Sequence, residues 1–390
     1  MEDHIGARIG YWRKRRGLTQ AVLAGLAGVS QPFVSQVEAG QKGIERRSTL
    51  VAIAGALQVS VADLLGQPGD PTDPAKAGVA RVVPAIRLAL IEIEEGERAP
   101  SRDVEQVATA IEHMTELRSR SDYAGMAPLL PALLADAAAA GPVQLTQVAY
   151  QASSVLRRFG YRDLALTAAR IAVDAAGDGD EQAWLGAARF AHLLALPYEA
   201  AGTAARVANR TIAELQHDAA DEKVRQVLGQ VHMTASLAAA VAGRHDDARE
   251  HLRAAEDEAT SLGDPGDGYG WNRMGFGPTN VGLWKMAVAT ESGDYGRVID
   301  MAGHVDPGPL RIVDRHQSYW IDLGRAYAHS GKTDREALTA FVRAERIAPV
   351  PFSANPLARD AVVAMVHRAR RRAVPDQLRI LARRLGVEAA

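Results

Sequence analysis

The sequence predicts an all-α protein, and three observations carry that prediction. From residue 79 to the C-terminus, alanine- and leucine-rich segments recur at helical spacing between Gly-Asp and Pro turns, with no convincing strand-like alternation. Residues 18–40, LTQAVLAGLAGVSQPFVSQVEAG, spell two short helices joined by a tight turn. Residues 320–349 space aromatic, glycine and alanine positions as a helical hairpin does.

Taken in chain order, a basic first helix is expected over 5–16. Thr19 is placed to N-cap a helix over 20–27, Gly28 breaks it, and Ser30 caps a second helix that starts at Gln31. Pro32 then falls in the first turn, where a missing N–H does no harm. Leu23, Leu26 or Ala27, Val29, Val34 and Val37 make a small shared core. Gln31, Pro32, Phe33, Ser35 and Gln36 are left facing outward. Helices over 49–57 and 61–65 follow, capped by Ser48 and Ser60. This is the pattern of a helix-turn-helix that reads DNA.

On these residues, segment 3–66 resembles the lambda-repressor-like, or XRE-type, DNA-binding domain of bacterial regulators. The likeness rests on the basic first helix, the Thr19-Gln20 pair, the Gly28-Val29-Ser30 turn, Glu38 and Gly40, and the two closing helices. It implies that Gln20 contacts a phosphate and that Gln31, Pro32 and Gln36 face base edges. Proline offers no donor, so direct readout leans on Gln31 and Gln36, whose amides pair with adenine, while Phe33 reaches a thymine methyl or a sugar.

Charge agrees with this locally. The whole chain has 45 Lys plus Arg against 47 Asp plus Glu, which creates no general field for nucleic acid. Residues 1–66 nevertheless hold eight cations and five anions. Arg13 to Arg16 and Arg46-Arg47 flank the reading helix, so Arg13, Arg16, Arg46 and Arg47, with Thr19 and Gln20, are the expected phosphate contacts.

A chain of 390 residues leaves a second domain of about 300 residues after that module. Segment 66–78, GQPGDPTDPAKAG, reads as a linker, giving domains 1–66 and 80–390 joined by 67–79. No cysteine is available for a disulfide or thiolate metal site. The start, MEDHIGAR, has no signal-peptide core, and no long uncharged apolar stretch is evident, so a soluble cytoplasmic protein with no membrane role is expected.

Trp320, Leu323, Gly324 and Tyr327, followed by Ala337, Phe341, Ala344 and Pro349, resemble a tetratricopeptide repeat. Weaker copies begin at the glycine turns Gly160, Gly243 and Gly293, with a fourth around Ala201. Second-helix positions Ala165, Ala201, Ala248, Val298 and Ala337 are spaced 36, 47, 50 and 39 residues apart. That irregularity makes the second domain tetratricopeptide-like, an α-solenoid with a concave inner face. Its expected lining includes Tyr150, Arg189, His232, Asn280, Trp284 and Arg325, and the glycine- and aromatic-rich segment 264–286 adds Trp271. That segment reads equally as a binding loop or a cap. The layout also resembles peptide-sensing regulators of Gram-positive bacteria, in which inner-helix asparagines hold a peptide backbone, a role carried across to Asn280. It is closer to actinobacterial XRE-type regulators with such C-terminal domains. The stretch 355–387 reads as two helices broken near Pro375 that cap the solenoid.

Neither H-E-x-x-H nor G-x-S-x-G occurs, and no histidine cluster has metal-ligand spacing, so no catalysis, cofactor or metal is expected. The reading at this stage is a transcriptional regulator whose second domain senses a peptide or small-molecule effector and forms a homodimer on a double-stranded operator. The alternative is a tetratricopeptide-type scaffold or antitoxin-like partner protein in which DNA binding is secondary.

Overall fold

A computed structural model describes residues 4–68, 74–97, 100–179, 181–369 and 374–387. Among them every regular element is helical, with a helix-turn-helix unit leading into a solenoid-like array.

The first unit comprises α1 (Ile5–Arg15), α2 (Gln20–Ala27), α3 (Gln31–Glu38), α4 (Arg47–Leu57) and α5 (Val61–Leu65). Thr19 and Ser30 cap α2 and α3 through their hydroxyls, and Gly28 adopts φ +65° between them, a conformation that favours a residue without Cβ. Ile5, Ile9, Leu23, Ala27, Val34, Val37, Leu50 and Ile53 form the core. Ala27 fills the place left open between it and Leu26, which is 63% exposed. Ser48 does not cap α4: the helix begins two residues earlier than expected, at Arg47, with Arg46 in the cap position and no side-chain bond. The reason is tertiary, since Arg47 is drawn into an ion pair with the second unit. Ser60 and Asp63 make a reciprocal capping box on α5.

The second unit opens with α6 (Pro74–Glu94), α7 (Val104–Ser119), the single turn α8 (Tyr123–Met126) and α9 (Leu130–Ala140). Helix α6 begins inside the stretch expected as linker. Of that stretch, 69–73 lies outside the described residues. Hairpins follow: α10 (Pro142–Arg158) with α11 (Arg162–Gly177), α12 (Gln182–Ala195) with α13 (Ala201–Leu215), α14 (Glu222–Val241) with α15 (His245–Leu262), α16 (Pro278–Ser292) with α17 (Tyr295–Ala302), and α18 (Val313–Ala328) with α19 (Asp334–Ile347). Gly160, Gly243 and Gly293 sit at three of the turns with positive φ. Close approach within the last hairpin depends on Gly324, where a Cβ would lie 2.7 Å from the Phe341 ring. Helices α20 (Pro349–Ser353), α21 (Pro356–Ala369) and α22 (Asp376–Arg384) complete the chain, with Leu378, Leu381 and Leu385 buried against Phe341 and Phe352.

The first helix of each hairpin packs on the first helix of the next, so α10, α12, α14, α16 and α18 form a continuous inner row. Helix α20 returns to touch α6, and Arg158 on α10 pairs with Asp314 on α18, so the row curls back on itself around a central space. The segment Tyr123–Ala140 has the length and apolarity to cross a membrane, yet half of it is buried within this array.

Candidate nucleic-acid interface

Helix α3 buries Val34 and Val37 and turns Gln31, Pro32 and Gln36 outward, while Phe33 and Ser35 are half-buried. The alternation follows from two apolar positions three residues apart, which fix one helical face inward and leave the intervening positions to solvent.

Gln31 is held by a chain of bonds that begins in α1. Arg13 donates twice to Glu38, at 2.5 and 2.8 Å. Glu38 then accepts from Gln20 Nε2 at 2.9 Å, which leaves Gln20 Oε1 to accept from Gln31 Nε2 at 3.1 Å. Because Glu38 is acceptor-only when ionised, it fixes which way the Gln20 amide faces, and Gln20 in turn fixes Gln31. Gln31 Oε1 and its second amide hydrogen stay open, the donor and acceptor pair that an adenine edge requires. Burial works against the Glu38 charge, but bonds from Arg13 and Gln20 outweigh it and hold the carboxyl below the usual range. The bond to Glu38 raises the Arg13 pKa correspondingly.

The expected phosphate contacts are not all placed for that task. Thr19 is exposed at the N-terminus of α2, where backbone N–H groups suit a phosphate. Arg13 is committed to Glu38 and to the Leu18 carbonyl at 2.8 Å. Arg16 donates to the carbonyls of Leu57 and Gln58, both at 3.0 Å, and so closes the C-terminus of α4. Lys14 and Arg15 on the same helix are exposed, and Lys42 lies 5.4 Å over the Phe33 ring.

Arg47 is committed elsewhere, because the loop between α3 and α4 docks on the second unit, whereas Arg46 stays exposed. Arg46 lies beside Gly293. Arg47 bonds through its amide and Nη1 to Glu291, at 2.8 and 2.6 Å, and stacks over Tyr198 at 5.1 Å. Glu291 also receives Arg325 Nη2 at 3.1 Å. Arg325 reaches the Glu45 carbonyl, and the Glu45 side chain meets His329 at 2.5 Å and the Tyr295 hydroxyl at 3.2 Å. The Ile44 amide donates to Asp360 at 2.6 Å and the Val61 amide to Glu199 at 2.6 Å. Burial pushes the Asp360 carboxyl up to about 7 although the Ile44 and Ile5 amides, Arg8 and Arg359 pull the other way. Leu357 of α21 is part of the first unit's core.

Residues 4–65 match the family model described as a helix-turn-helix domain. No curated protein matches the chain. The matched segment coincides with α1 to α5, and it makes this a DNA-binding regulator's reading unit, with α3 as the helix whose polar face is open.

The residues expected to bind an effector scatter. Tyr150 and Trp284 line a central, partly open cavity of about 310 Å³ bordered by the inner row. Arg189 pairs with Glu214 on α13. His232 faces His251 at 3.1 Å, and burial followed by that second ring depresses its pKa to about 4. Trp271 packs on Trp184 with centroids 4.9 Å apart. Asn280 is fully buried, its amide turned toward the Met274 carbonyl, because the segment 264–277 folds down on α14 and α16 and takes that side chain into the interior. That segment is a packed cap: Met274 and Phe276 are buried. It still presents Arg273 to the cavity, through a left-handed backbone at Asn272 and Arg273 with φ +46° and +47°.

Eight arginines line this cavity, and the sequence reading singled out only Arg47, as a phosphate contact, and Arg325, among the possible lining residues. The missed signal is that arginines pair up on the first and last inner-row helices, at Arg157-Arg158 on α10 and at Arg315 and Arg325 on α18, which the curl of the row brings together.

Proposed function

We propose that the protein is a sequence-specific transcriptional regulator of the XRE type, acting in the cytoplasm as a homodimer on a double-stranded operator and responding to an effector held by a tetratricopeptide-like domain. The observation that carries this reading is the oriented chain Arg13–Glu38–Gln20–Gln31 beneath an exposed polar face on a helix-turn-helix domain. A single reading helix covers few base pairs, so two copies on half-sites about one DNA turn apart supply the affinity and specificity. The docked α3–α4 loop supports a response to effector: whatever alters the inner row alters the seat of the reading helix. The reading assigns no catalysis, cofactor or metal.

The engagement of Arg13, Arg16 and Arg47 within the protein favours a second reading, a partner-binding scaffold in which DNA binding is secondary. Genome-wide DNA occupancy of the tagged protein, with the Gln31→Ala, Gln36→Ala variant as control, separates the two. Sharp sites with paired half-sites that vanish in the variant support the regulator. Equal, diffuse occupancy by both proteins supports the scaffold.

A further inference from the structure

The central cavity has an excess of positive charge that the protein does not neutralise. Asp314 and Asp322 are the carboxylates among its lining residues, facing eight arginines. Asp314 is taken by Arg158, Arg273 pairs with Glu112, and Glu291 behind the wall serves Arg47 and Arg325. Four guanidiniums remain without a carboxylate. Arg118 donates to the Asn272 carbonyl at 2.5 Å and Arg162 to the Leu196 carbonyl at 3.0 Å. Arg157 and Arg315 have no hydrogen-bond or ion-pair partner for their side chains among the described residues.

Donors point the same way. The Nε groups of Arg118, Arg158 and Arg315 are buried with no acceptor. Leaving buried charged donors unpaired is costly, so their concentration around one cavity calls for an anion from outside. Arg157 is half-buried and lines the cavity. Desolvation, then Arg158 and Arg162, lower its pKa to about 10. Such crowding is relieved when an anion enters.

The rest of the lining sets the ligand's shape. Arg158 lies 5.0 Å over Tyr123, Arg118 5.2 Å over Tyr150 and Arg162 4.3 Å over Tyr198, so guanidinium planes are already oriented as broad, forked donors. Burial raises the Tyr198 hydroxyl, but Arg162 and Arg47 outweigh it and bring its pKa to about 7. Phe190, Leu194, Leu237 and Trp284 form an apolar side of the same space. The volume falls in the range of small-molecule sites, too small for a duplex or a folded partner.

We propose that this cavity is the binding site for an organic phosphate of nucleotide size, its phosphoryl groups held by Arg118, Arg157, Arg162 and Arg315 and its flat or apolar body by Trp284 and Phe190. The proposal deepens the regulator reading, on which it rests, by naming the effector's chemistry. Guanidinium forks match phosphate oxygens two at a time, whereas a peptide would bring mostly neutral amides to a site with surplus cations.

The test uses the full-length protein and three probes: ADP, inorganic pyrophosphate and adenosine, followed by calorimetry and thermal melting at low salt. Saturable binding of ADP and pyrophosphate, with a raised melting temperature, is expected, and adenosine is expected not to bind. Arg157→Gln and Arg315→Gln should each weaken ADP by about tenfold or more, the loss expected for a charge-assisted bond. Their ligand-free melting temperatures should equal or exceed the wild type, because each removes an unpaired cation from a crowded cluster of like charges, and this shows that both variants fold. Three results overturn the proposal: no saturable binding of either anion up to about 1 mM, binding unchanged in both variants, or adenosine binding as well as ADP. Operator binding is measured on the same preparations. Operator binding without anion binding removes the cavity assignment alone, and loss of both removes the regulator reading as well.

Discussion

Glu291 is the carboxylate on which the seating of the reading unit turns, and Glu291→Ala tests that directly. Its side chain is fully buried and takes three donors: the Arg47 amide, Arg47 Nη1 and Arg325 Nη2. Burial disfavours its charge, yet Arg47 and Arg325 keep its pKa low, so the carboxylate is ionised. Removing one member of a buried pair costs roughly 3–5 kcal/mol because the partners stay buried and uncompensated. Undocking rehydrates Arg47 but leaves Arg325 within the second unit, so about 3 kcal/mol of that cost should appear as weaker docking, roughly a hundredfold in the docked-to-undocked ratio.

Native-state hydrogen exchange reads this ratio at two amides. Ile44 and Val61 donate across the junction to Asp360 and Glu199, whereas Ile53 lies within α4, in the core of the first unit. Protection at Ile44 and Val61 should fall by about two orders of magnitude while Ile53 holds. Unchanged protection at Ile44 and Val61 would refute the role given to Glu291. So would equal loss at Ile53, which signals unfolding of the unit instead of its release.

Further outcomes follow from the same geometry. Glu38→Ala should weaken operator binding by about 1–2 kcal/mol in a titration, comparable with Gln31→Ala, because it frees the Gln20 and Gln31 amides to rotate; an unaltered operator affinity would show that their orientation is irrelevant. Asp360 has a folded pKa of about 7 against an ordinary 3.8, so the folded chain keeps a proton that the unfolded chain releases. Its stabilising contribution is complete below the ordinary value and is lost as pH rises through about 7. Asp360→Asn should therefore flatten the fall in melting temperature between about pH 4 and about pH 7, and equal slopes would contradict the burial argument. His232 titrates in the opposite sense, its contribution being lost as pH falls from 6.5 toward about 4, so the difference between variant and wild type isolates Asp360. Gly324→Ala sets a methyl 2.7 Å from the fully buried Phe341 ring and should destabilise the last hairpin by about 1–3 kcal/mol in chemical denaturation.

The reading unit was legible because its signals are local. Thr19, Gly28 and Ser30 act on their own turns, and Val34 and Val37 orient α3 whatever surrounds it. The start of α4 was not, since Arg47 is set by Glu291, a residue 244 positions away. The hairpin at 320–349 was readable from small residues at a close helix crossing, where chemistry and spacing coincide. Most of the cavity arginines were invisible for the opposite reason: on a solenoid, polar residues of the inner and outer faces look alike in sequence, and only the curl of the row gathers one set into a cluster. Asn280 misled in the same way, a polar residue near a helix start that the folded segment above it buries.

The loop between α3 and α4 also bears on modularity. Its amides and side chains are completed by Asp360, Glu291, Arg325 and His329, so the boundary at residue 66 divides the sequence without dividing the physics. A chimaera that grafts residues 1–66 onto another helical array would inherit the polar face of α3 but leave Ile44 and Arg47 without their counterparts. Exchange of specificity between such proteins is better made by replacing the outward residues of α3 alone, keeping the loop with the helical array on which it docks.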